Sequence, residues 1–599
     1  MARWRRQTRV GRIAALAAVL ALALFAGRAG AAADPAKVLR VAFPTAETGF
    51  DPVRISDIYS NTINEAIFER LLTYDYLARP AKLVPMVAEA MPEISDNGRI
   101  YVFKLKKGIY YTPDPAFKGV KRELVAEDFV YAFKRFMDPK NRSPYAFMIE
   151  GKIEGLDELG EAARKSGKFD YAAKVPGMLA VDSHTLRFRL KKSDYNFLYI
   201  CAHVPFGAIA REVVEAYGDD VQAHPVGTGP YVLKAWTRGS KIVLEANPGY
   251  RGFTWDFAPV DPAWDDALVA AMKGKEMPQI GRVEITIIEE DQSRWLAFNQ
   301  KQLDYLALPA TFRPQAFGAD NKLKPEWTEQ GVSLYRGIEP SITYTFFNFR
   351  DPVVGGFSKE KLALRRAVNM AYNLEEEIKV IRRYQAIPLE MPIPPGVVGF
   401  DPNYRAGDRY DPPLANKLLD HFGYRKGSNG YRTLPDGKPL VVRQASGTSA
   451  VEREFSELWR KSMDAIGVRM EFDIGKFADN LKAAKACQLM MWGAAWTADY
   501  PDGDNFMQLL YGPNTGQSNN GCYESKAFDA FYEKSTRLPN SPERNFLFLE
   551  MTRQMEVDGA WSLHVSRERN QLIRPWVLGF KKHPILHAEW QYMDLEPRR

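Results

Sequence analysis

The sequence predicts a mixed α/β protein built from several lobes, and three observations carry that prediction. Its 599 residues are 46% hydrophobic and 26% charged, which supports two to four separate cores and excludes disorder, collagen and a small disulfide scaffold. Strand-like alternation and helix-like apolar spacing both recur, but without the strict alternation of elements that a single Rossmann-like or barrel domain requires. No internal repeat or low-complexity tract interrupts them.

The first element is a leader. Five arginines precede the apolar run from Ile13 to Ala26, which gives way to Ala29-Gly30-Ala31-Ala32-Ala33, the pattern of a cleavable secretory signal peptide over 1–33. Fourteen apolar residues fall short of a hydrocarbon core of roughly 30 Å, so cleavage near Ala31 or Ala33 is expected rather than a retained anchor. No cysteine lies near the cleavage region to carry a lipid, so a soluble exported product is expected. The leader holds six arginines and no acid, so the net charge of +7 belongs largely to it and the remaining body is close to neutral. A nucleic-acid binder needs a basic surface, and that class is set aside.

Past the leader, 38–43 alternates as a strand, and Ile63, Ile67, Leu71 and Leu72 mark a helix over 59–72. The runs 100–105 and 109–111, separated by Lys-Lys-Gly, predict a hairpin, and Phe129, Phe133, Phe136 and Met137 mark one helix face. Further strands are expected at 185–190, 231–235, 241–245, 283–288, 343–349 and 440–444, with helices at 361–372 and 452–466. Asn429-Gly430 and Asp436-Gly437 read as turns, the second as a hairpin before the strand at Leu440. The stretches 151–174 and 255–278 are polar or irregular and read as surface excursions.

Catalytic patterns are missing. His583 and His587 have ligand-like spacing, but Pro584 breaks the helix and no glutamate follows the first histidine, so they read as surface histidines. No glycine-lysine precedes a serine or threonine, no nucleophile elbow occurs, and Gly227-Thr-Gly229-Pro230 lacks the third glycine of a dinucleotide fingerprint and reads as a turn. No enzyme activity, cofactor or metal is therefore expected. Of three cysteines, Cys201 sits in an apolar run as a small buried hydrophobe. Cys487 and Cys522 flank one aromatic segment, and their spacing leaves pairing open because a bridge needs Cα atoms within roughly 7 Å.

That segment, 489–511, is the most unusual in the chain: an apolar strand ends in Trp492, Trp496, Asp499, Asp502 and Asp504. One reading is a buried strand entering a turn, for which Asp, Pro and Gly are the usual residues. The other is a recognition strand, with Trp492 and Trp496 on one side walling an apolar cavity and Asp499 holding a cation. A calcium loop is disfavoured, because the glycine position and final glutamate of an EF-hand are missing.

Almost the whole mature chain resembles the extracytoplasmic solute-binding proteins of ABC importers, in the family of the oligopeptide- and dipeptide-binding proteins. The likeness runs in order through Leu39-Arg-Val-Ala-Phe with Phe50-Asp51-Pro52, Tyr101-Val-Phe-Lys-Leu, Ala126-Glu-Asp-Phe-Val and Val226-Gly-Thr-Gly-Pro-Tyr231. It continues in Phe347-Asn348-Phe349, Leu364-Arg-Arg-Ala-Val with Ala371-Tyr372, Trp496-Thr-Ala-Asp499, and the stretch from Leu572 to Gly579. Each match is weak; together and in family order they are specific.

The resemblance implies a two-lobed periplasmic binding protein fold with an extra domain in the first lobe and a ligand cleft between the lobes. Domain I would comprise 34–80, 206–335 and 565–599, domain II 81–205, and the second lobe, domain III, 336–564. It implies capture of short peptides by closure, delivery to the membrane permease of an importer and a periplasmic location, and a monomer suits a protein that must open and close around its ligand. Asp499 would pair with the ligand's α-ammonium, and Ala495, Trp496, Thr497 and Ala498 would pair with its backbone beside Trp492. The loop 45–50, with Thr48, Gly49 and Phe50, would face the same cleft. Two departures stand out: Ala495 replaces the glycine many peptide binders carry, and Gly493 stands where some carry an arginine. Arg365 and Arg366 also match the family pattern, but on a helix they read as structural. The alternative ligand is an oligosaccharide or other small solute on the same scaffold, stacked on Trp492 and Trp496.

Overall fold

The computed structural model describes residues 33–598, so the expected leader, save Ala33, lies outside the described residues. No helix among the described residues is long and apolar enough to cross a membrane. Four principal sheets organise the described residues. In the first, Asp34–Phe43 runs parallel to Ile280–Ile287, followed by Lys241–Ala246 and Tyr231–Thr237. The strand opening the described chain thus finds its partner almost 250 residues later, through the apolar face of Leu39, Val41 and Phe43. A second sheet joins Glu93–Ser95, Ile100–Lys104, Thr185–Arg189 and Met178–Asp182, covered by the helix Ala126–Met137. Phe129, Phe133, Phe136 and Met137 are all buried there, as their spacing predicts.

The third sheet has five strands, in the order Arg469–Ile474, Val441–Ser446, Met491–Thr497, Ser341–Phe347, Trp561–Leu563. It forms a second lobe with the helices Lys359–Ala371 and Ala450–Ala465. Val565–Ile573 follows Trp561–Leu563 almost without a break and pairs with Ser333–Ile338 and Tyr305–Ala307. The chain therefore passes between the lobes at 338–341 and again at 563–565, where the Glu339 amide donates to the Arg567 carbonyl. Cys487 and Cys522 form a disulfide with Cα atoms 6.1 Å apart, and Cys201 is free and buried.

Several expectations need correction. The helix over 59–72 ends early: the observed helix is Ile58–Ile67, capped by Asp57, and Leu72 already belongs to the strand Leu72–Tyr74. The reason is nonlocal. The Gly229 amide takes the Ile67 carbonyl at 2.8 Å, and the residues just beyond are pinned by Glu65–Arg70 and Glu69–Arg251 ion pairs. Gly227 is required there, because a Cβ on it would lie 2.0 Å from the Ile67 carbonyl oxygen. The hairpin expected across Lys106-Lys107-Gly108 does not form. Ile100–Lys104 pairs with strands on either side, while the amides of Leu124 and Tyr111 donate to the carbonyls of Ile109 and Arg122.

Both expected surface excursions are largely exposed, but each holds an ordered helix rather than irregular chain. The first contains the amphipathic helix Leu156–Ser166, with Leu156 and Ala163 buried. The second contains Pro262–Met272 and the fully buried Trp255, whose indole N–H donates to the Tyr592 carbonyl at 3.1 Å. The expected surface pair of histidines is also overturned. His583 is buried and its Nδ1 accepts the amides of Ile585 and Leu586, while the backbone amide of half-buried His587 donates to Glu65. Both lie where the C-terminal segment returns to the first lobe, with Tyr592 stacked on Tyr76 at 4.3 Å.

Candidate functional site

Met491–Thr497 has two unequal edges. Ser341–Phe347 pairs with it along its whole length, from Phe347 opposite Met491 to Ser341 opposite Thr497. On the other side Val441–Ser446 reaches only Met491 and Trp492. The outer edge from Gly493 onward therefore carries no strand among the described residues, and an extended backbone can be added to it. Gly493 and Ala495 are exposed and small, so nothing bulky guards that stretch. Trp492 is buried against Phe346 and Phe477, and Trp496 packs partly buried against the same core.

The strand ends in a fixed turn. Ala498 donates to the Pro340 carbonyl, and Asn505, on the short helix Asp504–Met507, holds both the last tryptophan of the strand and the aspartate beyond it. Its Oδ1 accepts both the Asp499 amide at 2.9 Å and the Trp496 indole N–H at 3.0 Å, while its Nδ2 donates to Asp499 Oδ2 at 3.0 Å. One amide side chain thus orients the carboxylate that the sequence singles out.

Among the described residues Asp499 has no cationic partner. The nearest basic group is His203, with Nε2 3.9 Å from Oδ1, and burial holds that imidazole well below its usual range and so neutral. Burial pushes the Asp499 carboxyl up to about 6, with the Asn505 hydrogen bond opposing it. The neighbouring acids differ. Asp502 takes Arg544 through both oxygens at 2.6 and 2.7 Å, and Asp504 accepts from the Tyr500 hydroxyl at 2.6 Å. The three aspartates therefore have separate duties, and only Asp499 is left to meet a charge from outside.

The first lobe closes over this carboxylate with polar groups that sequence reasoning missed. Asn61 Nδ2 donates to the Tyr145 hydroxyl, and the Tyr145 ring lies edge-on to His203 at 5.0 Å. Tyr74 and Tyr145 are both buried near enough for the Asp499 charge to push their hydroxyl pKa values further up, beyond the larger effect of desolvation. Asn61 Oδ1, both polar atoms of the Asn64 amide, the Tyr74 hydroxyl and His203 Nε2 are buried with no hydrogen-bond partner. An unsatisfied buried polar atom costs about 1–3 kcal/mol, so His203 Nε2, 3.9 Å from Asp499, is a polar atom a polar guest could relieve. Asn61 and Asn64 were a readable signal, being two amides three apart on one face of an otherwise buried helix; His203, Tyr74 and Tyr145 carried none.

The loop contributed from the first lobe is placed differently. Thr48 is exposed and bonds to Asp57 and Ser60, Gly49 lies against Gln222, and Phe50 is wholly buried on Trp236 at 4.7 Å. Their contacts run into the first lobe, and from that lobe it is His203, with Tyr145 beside it, that lies against Asp499.

Three comparisons bear on this arrangement. Residues 82–518 match the family model described as bacterial extracellular solute-binding proteins, family 5 Middle. The chain is 25% identical to di/tripeptide-binding protein 2 of Pseudomonas aeruginosa, over 96% of this chain and 97% of that protein. It is 23% identical to the periplasmic oligopeptide-binding protein OppA of Escherichia coli, over 89% of this chain and 88% of that one. Among solved structures it is similar to the ABC transporter-associated periplasmic binding protein DppA from Helicobacter pylori in complex with the peptide STSA. The TM-score is 0.75 at 21% identity, covering 94% of this chain and 98% of that one.

Proposed function

The chain belongs to the bacterial extracellular solute-binding proteins, family 5, and from that membership we propose that it captures short peptides and delivers them to an ABC importer. The observation that carries the reading is Asp499: a desolvated carboxylate without a cation, held by Asn505 at the end of a strand whose outer edge is free. A peptide α-ammonium supplies the missing charge, and its backbone supplies the missing strand, which yields affinity without reading side chains. Ligand contacts to both lobes favour closure only by their differential affinity for the closed state.

The remaining parts of the reading are that 1–33 is a cleaved export leader without a lipid anchor, that the mature protein is a periplasmic monomer, and that the importer's permease recognises the closed form. The sheets support assigning 34–80, 206–335 and 565–599 to domain I, 81–205 to domain II and 336–564 to the second lobe. An oligosaccharide platform has no comparable support, because Trp492 is buried in the core and the Trp496 indole is committed to Asn505.

Calorimetry with tri- and tetrapeptides tests the site. Asp499→Asn is expected to weaken binding by about a hundredfold or more, the usual cost of leaving one partner of a buried charge pair alone. Unchanged affinity in a folded variant would remove Asp499 from the site.

A further inference from the structure

Besides the crossings at 338–341 and 563–565, a third stretch of chain lies along the hinge. Ala386–Pro388 pairs antiparallel with 565–567, directly after the second crossing, and the Glu568 amide donates to the Gln385 carbonyl at 3.1 Å. Its root is bolted to the second lobe. Glu377, wholly buried on the wide helical turn Glu377–Ile381, lies 2.8 Å from His564 Nδ1 and accepts from the Tyr372 hydroxyl at 2.8 Å and from Arg382 Nε at 2.9 Å. His564 is itself a crossing residue: its Nε2 reaches Thr345 Oγ1 at 3.1 Å, and its carbonyl accepts the Leu389 amide at 3.0 Å. One carboxylate thus ties the crossing and the stretch 377–389 together.

Between root and strand the backbone is strained. Arg383 and Tyr384 are consecutive non-glycine residues at φ 48° and 63°, the left-handed region that a Cβ disfavours, and such residues persist only where their surroundings over-determine them. Here the amides of Arg382, Tyr384 and Gln385 donate to the carbonyls of Glu377, Ile378 and Arg382. The turn they enforce holds Tyr384 out as an exposed side chain whose ring meets Arg313 of the first lobe, with the guanidinium carbon 5.7 Å from the ring centroid. Arg313 is steadied from its own lobe by the buried Phe317 ring at 5.4 Å and by Asn321 Oδ1.

We propose that Tyr384, carried on this third hinge strand, is a latch that favours the closed arrangement of the lobes through its contact with Arg313. The contact coexists with the ties of closure, because the same structure joins the lobes through Asn196 to Asp502 and Tyr199 to Tyr500. Hydrogen bonds within 377–389 travel with the second lobe, whereas Arg313 travels with the first, so rotation about the crossings parts ring from guanidinium and leaves the strained turn intact. Neither residue belongs to the strand Met491–Thr497 or the turn beyond it. The inference takes from the reading above only that the lobes open and close, not what they close upon.

The test is single-molecule fluorescence transfer on the purified mature protein, with dyes at Lys165→Cys and Lys534→Cys, exposed positions in the first and second lobes. Cys201 is buried and Cys487 and Cys522 are paired, so they stay unlabelled. Without ligand, Tyr384→Ala and Arg313→Gln are each expected to lower the closed-to-open ratio about two- to fivefold, the value of an exposed cation–π contact. The double variant should lower it no further than either alone, and Tyr384→Phe, which keeps the ring, should match the wild type. Trialanine affinity by calorimetry should weaken by the same factor, with the urea midpoint nearly unchanged. An unchanged ratio in both single variants overturns the latch. Additive losses in the double variant overturn the contact as its cause, and a ratio that falls together with the urea midpoint makes Tyr384 a support of the fold instead. Because the ratio is read without ligand, a wild type that binds no peptide overturns the peptide reading alone.

Discussion

At Asp499 two effects oppose each other: desolvation favours the neutral acid and the Asn505 amide favours the anion, and desolvation wins, leaving the carboxyl at about 6. The raised value fixes a sign. Stability conferred by the protonated form is full below the ordinary carboxyl range and is lost as pH rises through about 6, so the ligand-free protein carries an unsatisfied charge at neutral pH. A ligand ammonium relieves it, and binding then requires ionised Asp499. Peptide affinity should therefore fall as pH drops below about 6, approaching tenfold per pH unit. His203 is neutral throughout and His587, held near 4 by burial, changes charge only below that window, so Asp499→Asn should flatten the profile between them. Titrations from pH 4.5 to 7.5 read this directly, and an unaltered slope in the variant would assign the proton elsewhere. The sequence exposed this residue because an aspartate ends an apolar strand; it did not expose His203 or Tyr145, which reach the site only through tertiary packing.

Elements whose signal is local were legible. The helix Ala126–Met137 carries four apolar residues on one face, and Ser341–Phe347 and Val441–Ser446 read as strands from their own residues. What failed depends on a distant partner. Nothing in 100–111 says that Ile100–Lys104 prefers Thr185–Arg189 to its neighbour, and nothing in 59–72 says that Gly229 will claim the Ile67 carbonyl. That last contact has a testable cost. Gly227 and Gly229 lie over the end of Ile58–Ile67, the helix that presents Asn61 and Asn64, and a methyl group on Gly227 must displace the Ile67 carbonyl. Gly227→Ala should destabilise the protein by about 1–3 kcal/mol, the usual penalty for overpacking, and should also weaken peptide binding as the helix shifts. Urea unfolding measures the first effect. An unchanged midpoint would mean that the turn yields at no cost and the glycine is not required.

Across the whole molecule, the lobes meet through few polar ties. Asn196 in the first lobe donates to Asp502 at 3.2 Å and to Asp504 at 3.4 Å, and Tyr199 stacks on Tyr500 at 5.6 Å. Asp502 is independently held by Arg544, so removing the Asn196 amide loosens the lobe contact without leaving a buried carboxylate unpaired. That separation allows closure to be perturbed apart from folding. Asn196→Ala should cost the closed state about 1.5–3 kcal/mol, the value of a hydrogen bond to a charged group, and leave the open state untouched. Since apparent affinity scales with the competent fraction, a closed state already in the minority transmits that loss in full, as a weakening of about ten- to a hundredfold. The ligand-free variant should keep the wild-type radius of gyration by X-ray scattering and contract as the wild type does at saturating peptide, with its urea midpoint nearly unchanged. If affinity falls but the midpoint falls with it, Asn196 supports the fold rather than the closure. If neither moves, the energy of closing resides in the ligand and its strand, and the lobes touch only because the peptide brings them together.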